Sequence, residues 1–152
     1  MLLFGSGLHI VVIIMAKKYP GKLAYCGDSC TDCLRHVATM SGNLEQLREV
    51  GLLWQRVGWR KHIVAPEEII CHGCQDIEKC EYQVKECCIE KGLQNCGRCT
   101  EYPCAKIEKA FEITEQNAER FRSILSKEEY EMFYRAFFLK KKNLDRVSGR
   151  TQ

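Results

Sequence analysis

Asn95-Cys96-Gly97-Arg98-Cys99-Thr100-Glu101-Tyr102-Pro103-Cys104 is the stretch on which the fold turns. It sets three cysteines around a tight turn and then hands the chain to a helical pattern. Cys96-x2-Cys99 offers two sulfurs from one turn at the spacing a single metal ion accepts, and glycine at position 97 lets the backbone fold around that ion. Downstream, Ile107, Ala110, Phe111, Thr114, Ala118, Phe121 and Leu125 recur every three or four residues. This period predicts a helix opened by Pro103 and running to about Leu125.

Working outward, all eleven cysteines lie between Cys26 and Cys104. Most are grouped: Cys26-x3-Cys30-x2-Cys33, Cys71-x2-Cys74 and Cys96-x2-Cys99-x4-Cys104, with Cys80, Cys87 and Cys88 between. Disulfides join pairs of usually distant segments, and an odd count leaves one thiol over. With no convincing export signal, the grouping points to a reducing compartment and to metal ligation. A cytoplasmic location follows as an expectation.

The remaining pattern is helical. Leu34–Met40 reads as a short helix stopped by Ser41-Gly42-Asn43. Asn43 can cap a second helix carrying Leu44, Leu47, Val50, Trp54 and Val57, ended by Gly58. Pro66-Glu67-Glu68 reads as a helical first turn leading into Cys71-His72-Gly73-Cys74. Residues 77–91 look helical, with Gly92 as a stop. Ser126-Lys127-Glu128-Glu129 is a capping box ahead of a last helix with Tyr130, Phe133, Tyr134, Phe137 and Phe138 on one side. That stripe is expected to be core. No run alternates as a strand does. The fold class is therefore mainly α: a small, metal-stabilised cysteine-rich helical domain with a C-terminal helical hairpin.

Composition agrees with one domain. The chain has 152 residues and is 45% hydrophobic, enough for a core of its own. Residues 17–142 are taken as that domain, with a metal half at 24–104 and the hairpin at 103–142. Residues 143–152 are expected as a flexible basic tail. Residues 1–16 are expected to be an extension outside the fold. Leu8–Ala16 is too short to span a bilayer and lacks a preceding positive charge, whereas Met15-Ala16-Lys17-Lys18 resembles an ordinary start. A net charge of +3 gives no ground for nucleic-acid binding, and nothing suggests a membrane partner. A protein partner is left open, as is the oligomeric state.

Helix geometry partitions the thiols. If Cys80 and Cys87 share one continuous helix, they stand about 10.5 Å apart along its axis and cannot ligate one zinc. Cys80 then goes with Cys71 and Cys74, and Cys87 with Cys96, Cys99 and Cys104. Cys88 points about 100° away from Cys87 and is the spare thiol. Cys26, Cys30 and Cys33 lack a fourth ligand and can borrow from the Cys71 group, His36 or His72, or share a bridged site. The expected metal ligands are Cys26, Cys30, Cys33, Cys71, Cys74, Cys80, Cys87, Cys96, Cys99 and Cys104, holding about two zinc ions in four-thiolate sites. An iron–sulfur cluster with an electron-transfer or redox role is the alternative, since it uses the same thiolates.

Catalytic signatures are missing. No phosphate-binding Gly-rich loop, Gly-x-Ser-x-Gly or His-Glu-x-x-His occurs. Cys26-x3-Cys30-x2-Cys33 has the spacing of the radical-SAM cluster motif, but that chemistry needs a barrel of repeated β-α units that this chain lacks. The sequence leans away from an enzyme, toward a structural or interaction module.

Tyr25-Cys26-Gly27-Asp28-Ser29-Cys30-Thr31-Asp32-Cys33, Cys71-His72-Gly73-Cys74, and the run from Cys87 through Glu90-Lys91-Gly92 and Cys96-Gly97-Arg98-Cys99 to Pro103-Cys104 together resemble the prokaryotic family domain of unknown function 3795. All the cysteines but Cys88 fall in register over about residues 24–110. The resemblance implies cysteine-based metal binding in a small soluble protein and names no reaction.

Overall fold

The computed structural model describes residues 22–74, 77 and 79–150. The expectations for residues 1–16 lie outside the described residues. Those described are mainly helical and form no strand; one isolated antiparallel bridge joins Leu23 and Ser29.

Helix α1, Leu34–Met40, starts at Cys33 and stops at Ser41. Helix α2, Leu44–Arg56, is capped by the Asn43 side chain, which accepts the Gln46 amide at 3.0 Å. It buries Leu47, Val50 and Trp54, the stripe its period marks. A 3₁₀ turn, Pro66–Ile69, packs Ile69 against it.

Helix α3 is Val84–Glu90, shorter than the expected 77–91. Gln83 is left-handed at φ 60, and its amide bonds to Cys80 O, so a tight turn precedes the helix. Cys80 thus lies outside α3, and the axial separation derived from a continuous helix does not apply. A second 3₁₀ turn, Cys96–Arg98, follows; the Asn95 side chain accepts the Gly97 amide at 3.0 Å. Helix α4, Ala105–Phe121, begins two residues beyond Pro103, and its last expected turn up to Leu125 is looser.

The capping box at Ser126 and Glu129 is formed and starts α5, Lys127–Phe133. The expected single last helix is interrupted. Tyr134–Phe138 is π-helical, and α6, Lys140–Ser148, continues after it. The wider turn sets Phe137 5.2 Å from Trp59 and Phe138 5.8 Å from Phe121, so consecutive aromatics both reach the core. Residues 143–148, expected within a flexible tail, belong to α6 and bury Leu144; Gly149 ends the helix in a left-handed conformation. The hydrophobic face of this segment, not its charge, decides its fate. Residues 151 and 152 lie outside the described residues.

Two hydrophobic cores result. One gathers Val84, Cys88, Cys96, Tyr102, Ile107 and Leu144 in the cysteine half. The other gathers Leu47, Val50, Trp54, Phe121 and Phe133, with Trp59 packed among them. Helix α4 runs through both, contributing Ile107 to one and Phe121 to the other.

Candidate metal centre

The cysteines fall into two neighbouring sets. The first joins Cys26, Cys30 and Cys33 to Cys71, Cys74 and Cys80. Its frame is made by α1. The Thr39 hydroxyl accepts the Cys71 amide at 3.0 Å, His36 Nδ1 lies 3.0 Å from the Cys71 carbonyl, and Arg35 donates to the carbonyls of Ile69 and Ile70. Three side chains of one helix therefore hold the Cys71 segment against the loop that carries Cys30 and Cys33. Arg35 and Thr39 were not legible as site residues, since neither is a ligand type in a ligand pattern. His36 Nδ1, an expected alternative donor, is engaged with this carbonyl. His72 is exposed, and its own carbonyl accepts from Lys22.

Burial dominates the electrostatics of this set. It pushes the Cys30 thiol up to about 12, with the charges of Cys74, Cys33 and Cys71 adding to it. It pushes Cys33 up to about 11, opposed by amide hydrogen bonds from His36 and Arg35. Cys26 and Cys74 are raised for the same first reason. Thiols that disfavour one another's charge in a buried place suit a shared cation, which reverses that balance.

The C-terminal helix reaches into the same loop. Lys140 of α6 is 4% exposed, and its Nζ lies 2.5 Å from Asp28 Oδ1 and donates to the Phe137 carbonyl at 2.8 Å. Burial alone would lower the Lys140 pKa, but the charges of Asp28 and Cys26 outweigh it and hold the ammonium protonated. Lys140, the first of three consecutive lysines, is thus a buried anchor. Asn143 Nδ2 donates to the Gly27 carbonyl at 2.9 Å, and the Ser29 amide donates at 2.9 Å to the carbonyl of Ala136, within the π-helical segment.

The second set is Cys87 and Cys88 on α3, Cys96 and Cys99 at the second 3₁₀ turn, and Cys104 at the start of α4. Together they line a cavity of about 30 Å³. Cys88, expected to point away as the spare thiol, is buried, with its sulfur 3.7 Å from that of Cys96. The reason is the helix stripe: Val84 and Cys88, four apart, share the buried face of α3, and Cys96 is brought beneath it. That spacing was a readable signal. Cys87 is half-buried. The hydrogen bond from Cys96 holds the Cys88 thiol below its ordinary range, and the same bond, with burial, raises Cys96. Lys91 lies 3.7 Å from Cys99 Sγ and pairs with Glu101. The two sets adjoin, because the Cys96 amide donates to the Tyr25 carbonyl at 2.9 Å.

Among the described residues, no group of three or more His, Cys, Asp or Glu side chains is arranged to hold a metal ion. No helix among them is long and apolar enough to cross a membrane.

Against known proteins, residues 22–109 match the family model described as "Protein of unknown function (DUF3795)". This is more than half of the chain. The chain belongs to this family. The DUF3795 match takes in all the cysteines of both sets and stops within α4. No curated protein and no solved structure matches the chain.

Proposed function

We propose that this DUF3795 chain binds zinc through its thiols and serves as a structural or interaction module. The separation between Cys88 and Cys96 carries the reading. With Zn–S bonds of about 2.3 Å, sulfurs at the corners of a tetrahedron stand about 3.8 Å apart. The Cys88 and Cys96 sulfurs are 3.7 Å apart, far beyond a disulfide bond, beside a cavity of single-ion size. We assign one site to Cys88, Cys96, Cys99 and Cys104, with Cys87 beside it. The other draws four ligands from Cys26, Cys30, Cys33, Cys71, Cys74 and Cys80. Zinc closed by four thiolates offers no open position, so its contribution is to the fold. The Cys88 site would tie α3 to the start of α4, and the other would tie two loops to α1. Free thiols in such number imply a reducing compartment.

Metal analysis of anaerobically purified protein tests this. We expect about two zinc ions per chain, colourless protein, loss of one ion in Cys88→Ser, and retention of both in Cys87→Ser. Brown protein with visible absorbance replaces zinc by an iron–sulfur cluster, and protein without metal sinks the reading altogether. Loss in Cys87→Ser with retention in Cys88→Ser restores Cys87 as the ligand.

A further inference from the structure

Between the two cores lies a cleft of about 480 Å³, within the range of small-molecule sites. One wall is aromatic: Trp54, Trp59, Phe137 and Phe138. Phe137 and Phe138 belong to the π-helical segment, an irregularity that often marks a functional site. Cys74 and Cys80 of the first thiol set also line the cleft.

The charge of the cleft is positive where the ring faces are. The Arg35 and Arg60 guanidinium carbons lie 5.2 Å and 5.1 Å from the centroid of the Trp54 ring. Both guanidinium groups are oriented by backbone carbonyls, Arg35 by Ile69 and Ile70 and Arg60 by Trp59. Those bonds use only some of the five donors of each group. Among the described residues neither arginine is ion-paired. Lys140 also lines the cleft but is matched by Asp28; Lys85, which donates to the Ile77 carbonyl, and the exposed Lys79 and Glu81 line it as well. The two arginines thus leave an unmatched positive charge beside flat apolar surfaces.

We propose that this cleft binds a small flat organic anion, its ring system against Trp59, Phe137 and Phe138 and its carboxylate or phosphate on Arg35 and Arg60, which the buried Trp54 ring supports. Guanidinium groups match both anions through paired N–H donors, and aromatic walls favour a planar partner. The site does not depend on the metal assignment, although its ligand would lie beside the first thiol set.

The chain supplies its own reporter, because its two tryptophans, Trp54 and Trp59, both line the cleft. The full chain as purified is titrated with 8-anilinonaphthalene-1-sulfonate and, separately, with the uncharged N-phenyl-1-naphthylamine. Tryptophan quenching and sensitised probe emission are followed together. One saturable site is expected, with the anionic probe bound about tenfold more tightly than the neutral one. Arg60→Glu, at an exposed position, should weaken the anionic probe about tenfold and leave the neutral probe unchanged. Arg48→Glu, on the outer surface of α2, should change neither. Displacement of the probe by 2-naphthoate but not by adenosine monophosphate identifies a carboxylate ligand, and the reverse identifies a phosphate ester. Non-saturating binding, equal affinity for the two probes, an Arg48→Glu effect as large as that of Arg60→Glu, or displacement by neither anion overturns the proposal.

Discussion

At the residue scale, two glycines show what the cysteine turns demand. Gly27 has φ +93, and a Cβ there would meet the Lys140 carbonyl at 2.7 Å and Leu144 Cγ at 2.8 Å. Gly97 would meet the Leu144 carbonyl at 2.9 Å and Val147 at 3.0 Å. From sequence, Gly97 was assigned to wrapping the chain around an ion; its packing reason is a helix lying directly on the turn. Gly92 is the control, with φ +67 and open space around it. We expect Gly27→Ala to cost about 2–3 kcal/mol, combining strain and collision, and Gly92→Ala about 1 kcal/mol, in urea melts. Glu129 gives a second test. The hydrogen bond from Arg56 holds its carboxyl below the usual range, with the Ser126 amide adding to it. Folding therefore favours the charged form. Its contribution is complete above the ordinary glutamate value of about 4.3 and is lost as the pH falls through the lowered folded value. The difference in melting temperature between wild type and Glu129→Gln should be largest near neutrality and shrink below that range. The thiol partition was less legible than these local features. The burial of Cys88 was missed because its angle was measured from Cys87 rather than from Val84, the residue that fixes which face of α3 is buried.

At the element scale, local signals placed most helices well. Asn43, the Ser126–Glu129 box and the stripes of α2 and α4 each express a preference satisfied within a few residues. Three departures have tertiary causes. Helix α3 shortens because the chain must turn at Gln83 to keep Cys80 beside Cys74. The last helix breaks into a π turn because Phe137 and Phe138 both find aromatic partners there. Helix α6 forms from a segment that reads as basic and frayed, because Leu144 and Lys140 have burial sites that only the folded cysteine loop provides. No window of the sequence holds both partners. Leu144→Ala removes a side chain that is 0% exposed and should cost about 2–5 kcal/mol. If the contact matters as described, the loss should appear as faster amide exchange in the loop at 24–33 as well as in α6 itself.

At the scale of the whole molecule, the two cores respond to different supports. The aromatic core is built of Trp59, Phe121, Phe133 and their neighbours and includes no cysteine. The cysteine half counts Cys26, Cys30, Cys88 and Cys96 among its own buried residues, so under the proposed zinc binding the ligands would themselves be core side chains. Structural zinc contributes on the order of 10–16 kcal/mol in small peptides. We expect chelation to erase near-UV circular dichroism from the cysteine half while much of the helical signal of α4 and α5 survives; an unchanged spectrum and melting curve after complete metal removal would refute the structural role. Helix α6 bears on how this chain can be divided. The family match ends at residue 109, whereas the lysine that neutralises Asp28 is residue 140. A polypeptide cut to the matched region would keep every thiol yet leave the Asp28 carboxylate beside them without its ammonium partner. The unit matched by the family model and the electrostatically complete unit are therefore different lengths of chain.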